Sequence, residues 1–331
     1  MTSPSLDVLA IGNAIVDVIT NASETFLAEQ GLDKGSMRLI DEAEAVRLYA
    51  AMGPGREISG GSAGNTAAGL AALGIRTGFI GQVANDELGE IYRHDISAQG
   101  VKFLVNPRGD VGATARCLIL VTPDAQRTMN TFLGAAQKLT VEAVDMAAVR
   151  DAAIVYLEGY LWDPAEPRAA IEAAMAEAHG AGRKIAFTLS DSFCIARHRG
   201  DFLRLIEEKK IDILFANEAE ITELAGTADI EAAIAVFAGR VATLVVTRSE
   251  RGAMAMSGTE RVDVPAERIE RLVDTTGAGD LFAAGFLAGE ARGLGLETSL
   301  RLGAIAAAEV IQHYGARPER DLRALAGGLL N

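Results

Sequence analysis

Arg271-Leu272-Val273-Asp274-Thr275-Thr276-Gly277-Ala278-Gly279-Asp280 reads as a short strand, Arg271 to Val273, feeding a turn of small residues that opens the helix Leu281 to Leu287. A strand entering a helix through glycines is a building unit of α/β folds. Unpaired N–H groups of Gly277, Ala278 and Gly279 at the helix start would form an anion hole. Asp280, in the first turn, would point at the same spot and accept a proton from an attacking hydroxyl. The helix dipole is expected to lower its pKa, leaving a weak base that suffices where phosphoryl transfer is loose and the proton leaves late. A plain glycine turn with Asp280 as an N-terminal charge is the alternative.

Outward from this stretch, apolar or β-branched runs recur at Val8 to Ile11, Thr77 to Val83, Ile154 to Leu157, Ile185 to Thr188, Ile213 to Phe215 and Leu244 to Thr247. Between them, Glu42 to Met52, Glu87 to Gln99, Ala165 to His179, Asp201 to Lys209 and Ile230 to Ala238 carry apolar residues at helical spacing. This alternation predicts a mainly parallel sheet covered on both faces. Ile15 to Thr20, and the hairpin Gly112 to Val121 with Arg127 to Phe132 around Pro123-Asp124, break the alternation and predict a small flap of extra strands. With no repeat or Pro-rich linker, residues 1–331 are expected to form a single domain, with a discontinuous lid at about 13–20, 35–41 and 101–133 inserted in it.

The 331 residues are 49% hydrophobic and 23% charged, enough apolar material for a large core. Lys and Arg number 31 against 45 Asp and Glu, a net charge of −14 that repels a phosphodiester backbone and argues against a nucleic-acid partner. Cys117 and Cys194 match no metal-ligand spacing, and a reducing, cytoplasmic setting is expected. Met1 to Ile11 has no Lys or Arg and is interrupted by Asp7, unlike a signal peptide. The longest charge-free run, Ile58 to Ile75, holds five glycines, so no membrane span is expected.

Within that run, Gly60-Gly61-Ser62-Ala63-Gly64-Asn65 precedes a small-faced helix, suggesting a ligand close to the backbone of Gly60 and Gly61, with Asn65 as donor and acceptor. Tight packing of the helix on the sheet is the alternative. The match of Gly60-x-Ser62-x-Gly64 to a hydrolase elbow is discounted, because the preceding residues make a poor strand and no histidine is placed to partner Ser62. Asp17, on one strand face with Ile15 and Ile19, would bind hydroxyls together with Asn13 of the preceding turn, or else lie on an exposed flap face. Asn217 and Glu220, three apart at a helix start, would hold hydrated Mg²⁺ or simply cap the helix. Thr247 to Gly252 would line a nucleotide pocket or form an ordinary hairpin turn. Neither a P-loop nor a G-x-G-x-x-G fingerprint is present.

In this order, Gly60 to Asn65, Asn217 to Glu220 and Asp274 to Asp280 resemble the first signature, the N-x-x-E motif and the second signature of the PfkB/ribokinase family of carbohydrate and nucleoside kinases. Gly12 to Asp17, Val155 to Tyr160, Leu189 to Phe193, Leu214 to Glu218 and Gln126 to Met129 are similar to the adenosine kinase-like branch. The resemblance implies a ribokinase-like three-layer α/β/α core with a small β-sheet lid. It also implies ATP-dependent phosphorylation of a hydroxymethyl group, with Asp280 as base and Gly277, Ala278 and Gly279 as anion hole. Asn13, Asp17, Gly60, Gly61, Asn65 and Arg127 would bind the acceptor; Asn217, Thr247, Gly252, Gly277 and Gly279 would bind ATP; Asn217 and Glu220 would bind Mg²⁺. Adenosine, giving AMP, is the leading acceptor; ribose, fructose or a keto-deoxy sugar acid is the second, and a binding protein without catalysis the third. A K⁺ requirement and a homodimer formed through the lid are further expectations.

Overall fold

The computed structural model describes residues 4–124 and 126–330; residues 1–3 of the N-terminal reading and residue 125 of the expected lid lie outside the described residues. In chain order the strands are β1 Leu6–Ile11, β2 Ile15–Asn21, β3 Met37–Leu39, β4 Arg56–Gly60, β5 Thr77–Ile80, β6 Lys102–Phe103, β7 Ala115–Val121, β8 Arg127–Phe132, β9 Ala152–Glu158, β10 Lys184–Thr188, β11 Ile213–Asn217, β12 Thr243–Thr247, β13 Ala253–Ser257 and β14 Glu260–Val264. Nine of them form one sheet in the order β14-β13-β12-β11-β10-β9-β1-β5-β6. It is parallel from β12 to β6, with β13 and β14 added as an antiparallel edge.

Both faces of this sheet are apolar, so adjacent residues of one strand enter different cores. Val8 and Ala10 pack with the helices Ser62–Ala72, Ala278–Arg292 and Leu296–Val310; Leu9 and Ile11 pack with Ala165–Gly180, Ser192–Glu207, Glu218–Ala225 and Ile230–Phe237. The result is the expected three-layer α/β/α core. No helix among the described residues is long and apolar enough to cross a membrane.

The second sheet runs β3-β8-β7-β2-β4. It differs from the expected lid in two places. Lys102–Phe103 pairs with β5 in the large sheet, and Arg56–Gly60, read from sequence as a poor strand, pairs antiparallel with β2. Arg56, Glu57 and Gly60 have weak strand preference, and cross-strand pairing outweighs it. Nor is Arg271 to Val273 a strand: it is loop, held where the Val273 N–H donates to the Ile311 carbonyl at 2.8 Å. The helix expected to begin at Asp201 is the second half of Ser192–Glu207, which bends at His198 (φ −124°, ψ 17°).

Candidate active site

Parallel strands bring their carboxyl ends to one edge, where α/β proteins bind ligands. Here Thr188, Asn217 and Thr247 end β10, β11 and β12 beside the start of helix Ala278–Arg292. The lid faces that edge. Its period-two alternation directs Ile15 and Asp17 of β2, Cys117 of β7 and Met129 and Thr131 of β8 to the same side. Between lid and sheet edge lies a cleft of about 400 Å³, lined also by Gly61, Ser62, Asn65, Tyr160, Glu220, Gly277, Gly279 and Asp280.

Helix Ser62–Ala72 brings its first turn to Asp280 because its small face fits helix Ala278–Arg292: a Cβ at Gly69 would reach Leu281 and Ala284 at 2.7 and 2.8 Å. The small residues thus serve helix-on-helix packing in addition to the packing on the sheet that was the expected alternative. Ser62 Oγ donates to Asp280 Oδ1 at 2.6 Å, and Asn65 Nδ2 donates to Oδ2 at 2.8 Å. Burial, which disfavours the charged carboxylate, pushes the Asp280 pKa up, against the two hydrogen bonds and the charge of Arg317. The direction is opposite to the lowering expected from the helix dipole, with burial as its main cause.

Gly277 adopts φ +79° at the helix start, and no side chain caps that start. The Ala278 N–H donates back to the Thr275 carbonyl at 3.2 Å, so of the expected anion hole Gly277 and Gly279 line the cleft and Ala278 does not. The turn is fixed by Asp274, whose Oδ1 accepts from Thr276 N and Oγ1 at 3.1 and 2.8 Å and whose Oδ2 accepts from Gly315 N at 3.1 Å. Arg127 forms a buried ion pair with Asp274 at 2.7 Å and lies 5.5 Å from the Tyr314 ring. It therefore joins lid to loop and is not among the cleft-lining residues, where an acceptor-binding role would put it.

Asp17 is on the cleft wall and not on an exposed flap face, its carboxylate lying over Gly60. No hydrogen bond from the described residues reaches that carboxylate, and burial pushes its pKa up to about 6. Gly60 thus acts by making room for Asp17. Asn13 donates through both its N–H and Nδ2 to the buried Glu158 carboxylate at 2.7 Å and is not among the cleft-lining residues. Asn65 is likewise engaged at both ends, on Asp280 and, through Oδ1, on Arg317 Nη1 at 2.8 Å.

Asn217 and Glu220 form a reciprocal cap: Asn217 Oδ1 accepts from Glu220 N at 2.8 Å, while the Glu220 carboxylate accepts from Asn217 N and Nδ2 at 3.0 and 2.7 Å. Both line the cleft, and burial pushes the Glu220 pKa up to about 7. The helix-cap reading thus holds in full. No group of three or more His, Cys, Asp or Glu able to hold a metal occurs among the described residues. That donor set fits an ion kept mostly by waters and phosphate oxygens, as Mg²⁺ is, and does not fit an all-protein cage. Thr247 lines the cleft; Gly252 does not, its φ of +85° serving a turn in which a Cβ would overlap the Val264 carbonyl.

Two buried residues that hold the site together were not among the expected site residues. Glu158, fully buried at the end of β9, accepts from the Ala63 N–H at 2.8 Å as well as from Asn13, and burial pushes its pKa up to about 7. Arg317 reaches Asn65 from the C-terminal loop. Their partners stand 95 to 252 positions away, beyond any local motif.

Residues 39–322 match the pfkB family carbohydrate kinases. A probable sugar kinase protein from Rhizobium etli CFN 42 has a structure similar to this one, at 49% identity, TM-score 0.90 and 98% coverage of both chains. The structure of an adenosine kinase from Sinorhizobium meliloti is similar at 49% identity and TM-score 0.89, covering 97% of this chain and 98% of that one. Among curated relatives, the adenosine kinase of Saccharomyces cerevisiae is 27% identical over 95% of this chain and 96% of its own. The turn at Asp274 to Asp280, the cleft it shares with a β-sheet lid and the match along most of the chain lead to one assignment: the protein belongs to the pfkB family of carbohydrate kinases and is an ATP-dependent sugar or nucleoside kinase.

Proposed function

We propose that this kinase phosphorylates the hydroxymethyl group of a nucleoside, adenosine to AMP. The observation that carries the reading is the lid face: one carboxylate without a hydrogen-bond partner from the described residues, Asp17, set among Ile15, Cys117 and Met129. A vicinal diol supplies two donors to one carboxylate, and a flat base suits the apolar wall around it. A sugar acid would need a free cation, and Arg127 is already paired with Asp274. A free sugar is the second reading, favoured by the Rhizobium etli relative described as a sugar kinase.

On this reading Asp280 accepts the hydroxyl proton, raised in pKa by burial and held by Ser62 and Asn65. The N–H groups of Gly277 and Gly279 face the transferred phosphoryl, and Thr247 borders the nucleotide. Mg²⁺, when bound with ATP, would neutralise phosphate charge, and Asn217 and Glu220 would hold its waters.

ATP consumption measured over a panel of nucleosides and free sugars tests the acceptor, and repeating it in KCl and NaCl tests the K⁺ requirement. Turnover is expected with adenosine; turnover only with free sugars would reverse the assignment. Asp280→Asn keeps an oxygen for Asn65 Nδ2 and turns its amide to the Ser62 hydroxyl, so folding is preserved and the base removed. A loss of about 10² to 10⁴ in kcat is expected, and a kcat within threefold of wild type would exclude Asp280 as base.

A further inference from the structure

We infer that Arg317 is the positioning residue of the catalytic base: it fixes the sense of the Asn65 amide, and through Asn65 the orientation of Asp280, while tying both to lid strand β4. This inference rests on the kinase reading with Asp280 as base.

The argument begins with the amide. An Asn side chain presents an oxygen at one end and an NH₂ at the other, and a half-turn about its last bond exchanges them. Asp280 needs the NH₂ end. Arg317 has only donors, and its Nη1 donates to Asn65 Oδ1 at 2.8 Å, so the oxygen is held on the Arg317 side and Nδ2 is left facing Asp280 Oδ2 at 2.8 Å. Without the guanidinium, Asn65 would be held in this sense from the Asp280 side alone.

Arg317 is itself held from the other side. Nη2 donates to the Ser59 carbonyl at 2.5 Å and to Ser59 Oγ at 3.0 Å, and Ser59 in turn donates through N and Oγ to Asp95 at 2.8 and 2.6 Å. Ser59 lies in β4, the lid strand paired with β2, which carries Asp17. A single guanidinium thus spans lid and base.

Charge works in the same direction. Asp280 shares its surroundings with Asp17 across the cleft, Glu158 at the end of β9 and the hydroxyls of Tyr156 and Tyr160, while Arg317 faces Asp17, Asp95, Asp280 and Tyr92. Arg127 is the second cation near Asp17 and is paired with Asp274. Arg317 favours the ionised form of Asp280, so its loss moves the base to a higher pKa and the acid limb of activity to higher pH.

The test compares Arg317→Gln and Arg317→Lys with wild type in kcat and kcat/KM profiles between pH 5 and 9, with melting curves alongside. Arg317→Gln removes the charge and the guanidinium fork that anchors Asn65: a kcat loss of at least about tenfold is expected, with the acid limb moved to higher pH and the KM for ATP little changed. Arg317→Lys keeps the charge and loses the fork, so the acid limb stays in place while kcat falls. A folded Arg317→Gln with unmoved acid limb and kcat within threefold of wild type overturns the role. If Arg317→Gln does not fold, Arg317→Lys decides on kcat alone, a kcat within threefold of wild type overturning the role, and failure of both to fold assigns Arg317 to stability and overturns the proposal. Wild-type turnover lost in Asp280→Asn carries the kinase reading separately; turnover retained in Asp280→Asn overturns that reading and this inference together.

Discussion

Asp17 and Asp280 face one cleft from opposite walls, one on a lid strand and one at a helix start, and both are pushed above the ordinary carboxylate range by burial. Their contacts assign different tasks. Asp280 already accepts from Ser62 and Asn65, whereas Asp17 accepts from no described residue, which on the proposed function leaves it for the acceptor's hydroxyls. Asp17→Ala should therefore raise the acceptor KM at least tenfold and leave that for ATP nearly unchanged, since a hydroxyl left unpaired in a closed site costs about 1 to 3 kcal/mol. The same loss made on the ligand, 2′-deoxyadenosine in place of adenosine, should do equal damage; equal KM values for the two nucleosides would remove Asp17 from the diol. Both aspartates were legible because each stands in a local pattern, an apolar strand or a glycine turn. Glu158 and Arg317 were not, because what makes them important is contact with Ala63 and Asn65, on another element far along the chain.

Helices Ala278–Arg292 and Leu296–Val310 show why an element's composition can be read more easily than its purpose. The glycines Gly285 and Gly289 let the two backbones approach: a Cβ at Gly285 would overlap the Leu302 carbonyl, and one at Gly289 the Ser299 side chain. The sequence reading turned on the small residues of the preceding turn, Gly277 to Gly279; these two glycines further along serve the contact of the helix that carries Asp280 with its neighbour. Gly285→Ala should destabilise the protein by about 1 to 3 kcal/mol in denaturant unfolding, because the obstacle is backbone that cannot rotate away. A cost below half a kcal/mol would mean that the pair relaxes freely. The cap at Asn217 and Glu220 poses the complementary case, in which one pattern serves two ends. Glu220→Gln retains one acceptor for Asn217 and loses the charge, so melting should fall by only a few degrees while the Mg²⁺ concentration for half-maximal rate rises. An unchanged Mg²⁺ curve would confine Glu220 to the cap.

For the molecule as a whole, alternation of apolar runs and helical segments was enough to read the parallel sheet and its three layers, since each strand must be covered on both faces. The lid was read incompletely because β4 is short and holds residues of weak strand preference, and only its pairing with β2 makes it a strand. Joining lid and core encloses carboxylates, and this governs how the protein responds to pH. Asp17 is raised from 3.8 to about 6, Glu158 and Glu220 from 4.5 to about 7, in each case chiefly by burial. A folded-state pKa above the unfolded one means that the native state binds the proton more tightly; the stabilisation is complete below the unfolded value and is lost as pH rises through the folded one. The net charge of −14 acts in the same sense, since protonation relieves self-repulsion. The ligand-free protein should accordingly melt at a higher temperature at pH 6 than at pH 8, and a flat or reversed dependence would show these carboxylates to be better solvated than their burial implies. Acceptor binding should run the other way. Hydroxyl donors to Asp17 favour its ionised form, so affinity for the acceptor should fall as pH drops through about 6 while stability rises. Titration calorimetry with adenosine at pH 5.5 and 7.5 checks this directly: weaker binding at pH 5.5 is expected, and equal affinity at the two values would separate acceptor binding from the charge on Asp17.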